Sequence, residues 1–410
     1  MAPDFFLRGK PAAATSSPVF GRSEVRILPY DYAVRNLGRA PLRLVATVGG
    51  CALVVLIMMA ATAFVQGMRR SLTPNLQSRN VLLLSAGSEE SLERSQINAG
   101  VPSHVRASVS GIKQRLGEPF ISPEIHLALI VSRPQQTEEL RAIFRGVDTA
   151  AFLVHPRVQL TVGEAPRHGH NELLVGALAA EKLNIPEADL SIGNSLIVED
   201  EPWTIVGRFA APGTVMDAEI WTSYTDLQVA TQRNSLSCVV ISLEEAELAD
   251  LAAWTAVRLD LELVAMSEAE YYASLRRFYG PVRAMIWATA TLMALAGILG
   301  GLNTLYAAFA ARTRELGMLQ SLGYSRSAIL ISLLQESMLA SAAGALFGAV
   351  LAYGLLHGNA VRFSMGVFEL QVDALTVFIG LLSGLLLGFI GALPPAFRCL
   401  RLPIPVALRT

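Results

Sequence analysis

Residues 44–65 read LVATVGGCALVVLIMMAATAFV, a stretch without Asp, Glu, Lys or Arg. A helix rises about 1.5 Å per residue, so about 20 uncharged residues cross about 30 Å of hydrocarbon. Three more stretches meet that length: 284–311 and 374–397 carry no ionisable Asp, Glu, Lys or Arg, and 327–356 carries only Glu336. A cleaved leader would need a much shorter charged lead and a shorter apolar run than residues 1–65 offer, so the first stretch reads as a retained anchor. The expected fold class is an α-helical membrane protein with four transmembrane helices (42–67, 281–311, 327–356 and 374–397) and an extracytoplasmic α+β domain (68–280) between the first and second.

Composition agrees with this reading. The chain has 410 residues, 52% of them hydrophobic and only 16% charged, with a mean hydropathy of +0.44. These values exclude a disordered chain and argue against an ordinary soluble enzyme. Thirty-three basic residues against 34 acidic ones give a net charge of −1, which leaves no global field to hold nucleic acid.

The placement of the basic residues sets the expected sidedness. Residues 1–43 hold seven Lys and Arg, the 312–326 loop three and the stretch after Phe397 three, whereas the 357–373 loop holds only Arg362. By the positive-inside rule, arm, 312–326 loop and tail (398–410) are cytoplasmic, both termini are inside, and 68–280 and 357–373 lie outside. Segment 66–283 carries 27 acidic against 19 basic residues, as a solvated domain would. Cys51, Cys238 and Cys399 fall in three different regions, so no disulfide and no cysteine-rich metal spacing is expected.

Residues 1–28, with Pro3, Pro11, Pro18, Gly9 and Gly21, read as a flexible lead. From Tyr30, the residues Tyr30, Ala33, Val34 and Leu37 share one helical face up to Pro41, so 29–41 reads as an interfacial amphipathic helix or as an extension of the first span. Inside the outer domain, 81–85, 125–132, 172–175, 196–199, 203–206, 238–242 and 259–264 are expected as strands. Residues 89–99, 137–144, 177–183, 244–256 and 268–279 are expected as helices. Only Gly280 and Pro281 separate the last of these helices from the second span, which predicts a short, stiff joint.

Catalytic signatures are missing from this sequence: it has no G-x-x-x-x-G-K-[ST] phosphate loop, no H-E-x-x-H, no G-x-S-x-G and no strand-borne G-x-G-x-x-G. His168-Gly169-His170 reads as an exposed turn rather than a metal pair, and neither catalytic nor metal-binding residues are expected. Glu336 is the one ionisable residue inside a span. It marks either a helix contact that changes during a transport cycle or a fixed polar contact near the inner interface. Small residues recur every fourth position as Gly297 and Gly301, as Ala340, Gly344 and Gly348, and as Gly380, Gly384 and Gly388. This spacing makes close helix packing surfaces, against one another or against a second copy.

The 312–326 loop carries the most information. Its residues RTRELGMLQSL form a short helix by composition, with Gly323 as the residue past its end and Ser325 as the N-cap of the third span. Leu316, Leu319 and Leu322 are expected as anchors for a membrane or partner surface.

The stretch ARTRELGMLQSLGYSRSAIL at 311–330, followed by Glu336, resembles the coupling segment of FtsX-like ABC permeases of the MacB and LolC/LolE type. YDYAVRNLGRAPLRLVATVGG at the first span, PPAFRCLRLPIPVAL after the fourth and WTIVGRFAAPGTVMDAEIW in the outer domain agree with it. Arg314, Glu315, Gly317 and Gly323 carry the match, and the sequence departs from MacB in showing no fused nucleotide-binding domain. The resemblance implies an inner-membrane protein that works as a dimer of four-span subunits, homodimeric or heterodimeric. It also implies a separate cytoplasmic ABC ATPase, holding the ATP and Mg, docked on a coupling helix that includes Arg312, Arg314, Glu315, Leu316, Gly317, Leu319, Leu322 and Gly323. A periplasmic adaptor is a further candidate partner, alongside membrane lipid. The implied function is export or extraction of a lipoprotein, amphiphile, peptide or drug; the alternative is transmembrane signalling that activates an envelope enzyme and transports nothing.

Overall fold

The computed structural model describes residues 30–73, 79–134, 136, 138–363 and 366–401. The expected lead (1–28) and most of the C-terminal tail lie outside these residues. The helices are α1 (Tyr30–Gly38), α2 (Pro41–Ser71), α3 (Val101–Ser108), α4 (Ala151–Val154), α5 (Ala179–Leu183), α6 (Tyr224–Thr231), α7 (Leu248–Val257), α8 (Glu268–Phe278), α9 (Gly280–Ala310), α10 (Thr313–Ser321), α11 (Arg326–Leu356) and α12 (Ala374–Leu400). Among the described residues, α2, α9, α11 and α12 are long and apolar enough to cross a membrane.

Each long helix starts where local chemistry allows it. Pro41 and Pro281 occupy the first turns of α2 and α9, where a missing N–H costs nothing. Ser325 Oγ accepts the Ala328 N–H at the start of α11, and Asp373 accepts the Thr376 N–H at the start of α12. The small-residue faces then set the packing of α2, α11 and α12. A Cβ on Gly344 would lie 2.7 Å from Cys51 Cβ, and one on Gly348 would lie 2.6 Å from the Ala52 carbonyl oxygen. On α12, a Cβ on Gly380 would strike Met59 Cγ at 2.4 Å, one on Gly384 would lie 2.7 Å from Ala345 Cβ, and one on Gly388 would strike the Ser341 hydroxyl at 2.2 Å. Ala340 is buried in the same seam. On α9 a Cβ at Gly297 would meet Val54 at 2.5 Å, but Gly301 has only Leu387, at 3.8 Å. Gly301 therefore makes an ordinary contact rather than a close helix approach, and α9 buries far less of its surface than the other three.

Between α2 and α9 lies a domain built on a ten-stranded mixed sheet. Its order is Leu263–Ser267, Asn80–Ser85, Cys238–Ser242, Ile121–Ser132, Leu140–Val147, Ile220–Ser223, Glu172–Gly176, Glu201–Ala210 and Gln159–Gly163. Ser195–Val198 pairs with both Glu201–Ala210 and Ile121–Ser132. Ile220–Ser223 runs parallel to Leu140–Val147, and Glu201–Ala210 parallel to Glu172–Gly176. The core on the sheet holds Trp203, Phe144, Leu173 and Ile125, each at 0% exposure.

Three expected elements are corrected. Residues 140–147 form a strand, not a helix, because each of Leu140 to Gly146 pairs with a partner on Ile121–Ser132. Residues 89–95 form turns and Ile97–Asn98 a short strand; the helix begins only at Val101, while Ser95 Oγ accepts the Ser85 N–H. Residues 259–261 make a single 3-10 turn, and the strand starts at Leu263 after Glu262 takes φ +48°. In each case long-range pairing or a turn outweighs local propensity.

Candidate coupling site

α10 lies between α9 and α11 and ends in a Schellman turn: the Tyr324 N–H donates to the Leu319 carbonyl, the Gly323 N–H to the Gln320 carbonyl, and Gly323 takes φ +90°. Its apolar face packs inward. Leu316 is 2% exposed and sits with Phe309, Ile329, Leu333 and Leu400, and Leu319 joins the same cluster with Tyr324. Leu316 is therefore not an anchor for a partner, because its own chain already covers it. Thr313 and Gly317 are also buried, while Arg314, Met318 (48% exposed), Ser321 and Leu322 (69% exposed) form the outer stripe. Among the three expected anchors only Leu322 is open.

Glu336 connects α10 to the membrane helices. It is 5% exposed, and its two carboxylate oxygens accept from different helix ends: Oε1 from Arg43 at 3.0 Å, and Oε2 from Arg312 at 2.8 Å. Arg43 lies in the first turn of α2; Arg312 is the N-cap of α10 and also reaches Glu315 at 3.2 Å. One carboxylate thus ties three segments by charge-assisted hydrogen bonds, which are about twice as strong as neutral ones. The sequence placed Glu336 in a span without revealing either arginine partner.

At the opposite end of the membrane helices the domain is joined to them in three ways. The end of α2 packs into it, Met68 and Leu72 clustering with Leu82 and Leu84. α8 is followed at once by α9, and Arg276 of α8 donates to the Leu72 carbonyl at 2.8 Å. The third joint lies in the 357–373 loop, which the sequence left unstructured: Ala360–Phe363 and Gly366–Glu369 form a hairpin. Lys182 donates to the Phe363 carbonyl at 2.9 Å, Arg362 donates to Asn184, and Phe368 packs edge-on against Phe64 of α2 at 5.2 Å. Gly67 makes that approach possible, since a Cβ there would strike Phe368 at 2.4 Å. Arg70 adds bonds to Gln371 at 2.9 Å and Asp373 at 2.7 Å.

The domain also contains a buried ionic network that sequence reading missed. Arg145 donates to both oxygens of Glu219 at 2.7 and 2.8 Å and to Glu124 at 2.6 Å. His155 Nε2 lies 2.7 Å from Glu124, His126 Nε2 lies 3.4 Å from Glu219, and the Trp221 indole donates to Glu219 at 3.0 Å. Burial pushes the Glu124 carboxyl up, but the charges of His155 and Arg145 and the hydrogen bonds from both outweigh it and bring it down to about 2. Glu219 is also held well below the usual carboxylate range, burial being overcome by Arg145 and by His126. The only sequence sign was Glu124 and His126 on alternate positions of an apolar strand.

His168-Gly169-His170 forms the exposed turn expected of it: the Gly169 and His170 N–H groups donate to Asp226, and the His168 ring bonds Ser223 at 2.7 Å. Among the described residues no group of His, Cys, Asp and Glu is arranged to hold a metal.

Four membrane-length helices, a large sheet domain between the first two and a short helix between the second and third are the architecture of this chain. Residues 44–255 match the MacB-like periplasmic core domain and residues 287–404 the FtsX-like permease C-terminal domain, so the chain belongs to the FtsX-like ABC permeases. Curated relatives include the pyoverdine export ATP-binding/permease protein PvdT of Pseudomonas syringae pv. syringae, 27% identical over 260 residues, covering 58% of this chain. The uncharacterized ABC transporter permease YknZ of Bacillus subtilis is 29% identical over 144 residues, covering 35% of this chain. The chain spans only 37% and 36% of the lengths of these two relatives. Similar solved structures include the periplasmic region of MacB from Actinobacillus actinomycetemcomitans, at 11% identity, 48% of this chain, 92% of that one and a TM-score of 0.36. The extracellular domain of YknZ from Gram-positive bacteria matches at 15% identity, 46% of this chain, 98% of that one and a TM-score of 0.35.

Proposed function

We propose that this chain is the membrane subunit of an ABC export or extraction machine in the bacterial inner membrane. A separate cytoplasmic ATPase docks on the outer stripe of α10, and its ATP-driven closure moves the sheet domain on the far side of the bilayer. The substrate class is a lipoprotein, amphiphile, peptide or drug, and a second permease subunit completes the machine. The Lys and Arg distribution supports the orientation, with α10, the N-terminal arm and the tail inside.

The observation that carries the reading is the Arg43–Glu336–Arg312 bridge. A push on α10 is felt at Arg312, passes through Glu336 to α11, and reaches Arg43 at the start of α2, whose other end packs into the sheet domain.

The test is to purify the tagged chain from its native membrane in mild detergent, identify what accompanies it and assay ATPase activity. A small P-loop ATPase is expected. Leu322→Asp and Met318→Asp, both on the exposed stripe, are expected to abolish its recovery while changing stability by no more than about 0.5 kcal/mol. An ATPase that stays bound to both variants would refute docking on this stripe, and an envelope hydrolase recovered in place of transport partners would move the reading to signalling.

A further inference from the structure

A cavity of about 360 Å³ opens where α1, the start of α2, the end of α9 and the start of α10 meet. Asn36, Arg39, Arg43, Arg312 and Glu315 line it, with Ala308 of α9 closing one wall. Three arginines face it, against Glu315 and the nearby Glu336. Arg43 and Arg312 both bond Glu336, and Arg312 also bonds Glu315. Arg39 has no carboxylate partner among the described residues; its guanidinium touches only the Asn36 side-chain oxygen, at 3.4 Å. The group therefore carries one uncompensated positive charge.

Asn36 supplies an independent sign. It is 3% exposed, and among the described residues its amide nitrogen is buried without a hydrogen-bond partner. A buried donor left unmade costs about 1–3 kcal/mol, so an acceptor is wanted there. One group with a single negative charge and several acceptor oxygens answers both demands: a phosphodiester.

We propose that this cavity binds the phosphodiester headgroup of an anionic membrane lipid, with Arg39 and the Asn36 amide as its direct donors. The surroundings favour a lipid over free phosphate. Leu42 (84% exposed) and Val45 (68% exposed) flank the lining Arg43 in the chain and offer apolar surface to acyl chains. The cavity also lies at the end of the membrane helices, at headgroup depth for helices of this length. Arg43 and Arg312 line the cavity and hold Glu336 as well, so a headgroup bound here draws on both arginines of the bridge. Lipid composition then tunes how firmly α10 is tied to α2 and α11. The site stands whether or not the transport reading does.

The full chain is placed in phosphatidylcholine nanodiscs doped with phosphatidylglycerol, and retained lipid is read by native mass spectrometry after release. Selective retention of phosphatidylglycerol is expected, weakened about tenfold by Arg39→Gln and largely kept by Arg39→Lys. Arg35→Gln removes the same charge from α1 outside the cavity lining and is expected to leave retention unchanged. Because Arg39 is exposed, its variants test binding rather than folding. Equal retention by wild type and Arg39→Gln, or an equal loss with Arg35→Gln, would overturn the site. Displacement of the lipid by inorganic phosphate at matched concentration would overturn the assignment to lipid.

Discussion

The sheet domain and the membrane part each hold a buried glutamate–arginine cluster in which one residue is shared by two of opposite charge, and the two are built on opposite plans. In the sheet domain Arg145 is shared by Glu124 and Glu219, and every member of the network is nearly or fully buried within one folded unit. In the membrane part Glu336 is shared by Arg43 and Arg312, which come from separate helix ends and stay 22% and 13% exposed. The first arrangement is over-determined: Glu219 is held by a bidentate Arg145, His126 and the Trp221 indole, and Glu124 by Arg145 and His155. The second ties three separate segments through one contact from Glu336 to each arginine, and both arginines stay partly exposed. On the proposed function, rigidity belongs to the domain that moves, and adjustability to the place from which it is driven.

The sharpest way to break this comparison is Arg145→Leu. It leaves two carboxylates buried without their cation, and a loss of about 3–5 kcal/mol is expected, enough to open the domain to limited proteolysis. A domain that stays protease-resistant would show that Arg145 is not what satisfies Glu124 and Glu219.

Titration is the next test. The folded pKa of Glu124 is depressed from 4.5 to about 2, so its contribution to stability is present in full above about 4.5 and is lost as pH falls toward about 2. The stability gap between wild type and Glu124→Gln, measured by denaturant unfolding, is expected to narrow across that window. A gap that is constant with pH would mean that Glu124 is not paired in its ionised form.

Packing in the membrane seam comes third. Gly344→Leu forces side-chain atoms into Cys51 and the Val48 backbone and is expected to cost about 1–3 kcal/mol in thermal unfolding of the solubilised chain. Gly301→Ala, with its nearest neighbour at 3.8 Å, is expected to be silent. Equal effects would dissolve the distinction between the tight seam and the loosely packed α9.

A modest stability effect is expected from Glu336→Gln. The amide keeps the shape and weakens two charge-assisted bonds, costing about 1–2 kcal/mol because both arginines can reach solvent. Its main readout is functional: ATPase stimulation by the chain should fall while the melting temperature moves only slightly. A collapse of stability as large as that of Arg145→Leu would make Glu336 a structural pin like its counterpart in the domain.

Much of this was legible before any coordinates. Spanning a membrane is a matter of uninterrupted apolar length, so the four spans follow from counting charges. Gly323 and Ser325 announced their helix ends because capping is settled within four residues. Glu336 stood out because a carboxylate at that depth is rare. The failures share a cause in distance along the chain. Residues 140–147 have the composition of a helix, and pairing with Ile121–Ser132 makes them a strand. Leu316 and Leu322 look alike in the 312–326 loop, and only the docking of α10 on α9 and α11 separates a covered leucine from an open one. The hairpin at 360–369 was missed because its stability comes from Lys182, Asn184 and Phe64 rather than from its own few residues.

By itself, then, the sequence determined the number of spans, the presence of an α+β domain between the first two, the caps of the surface helix and the one ionisable residue inside a span. These depend on local length, periodicity and hydrogen bonds within a turn. The tertiary structure alone decided that Arg43 and Arg312 close on Glu336, that Arg145 joins Glu124 to Glu219, that the hairpin braces the domain and that Arg39 and Asn36 face one cavity. Each of these brings together groups far apart in the chain, and a carboxylate carries no mark in the sequence of which arginine will neutralise it.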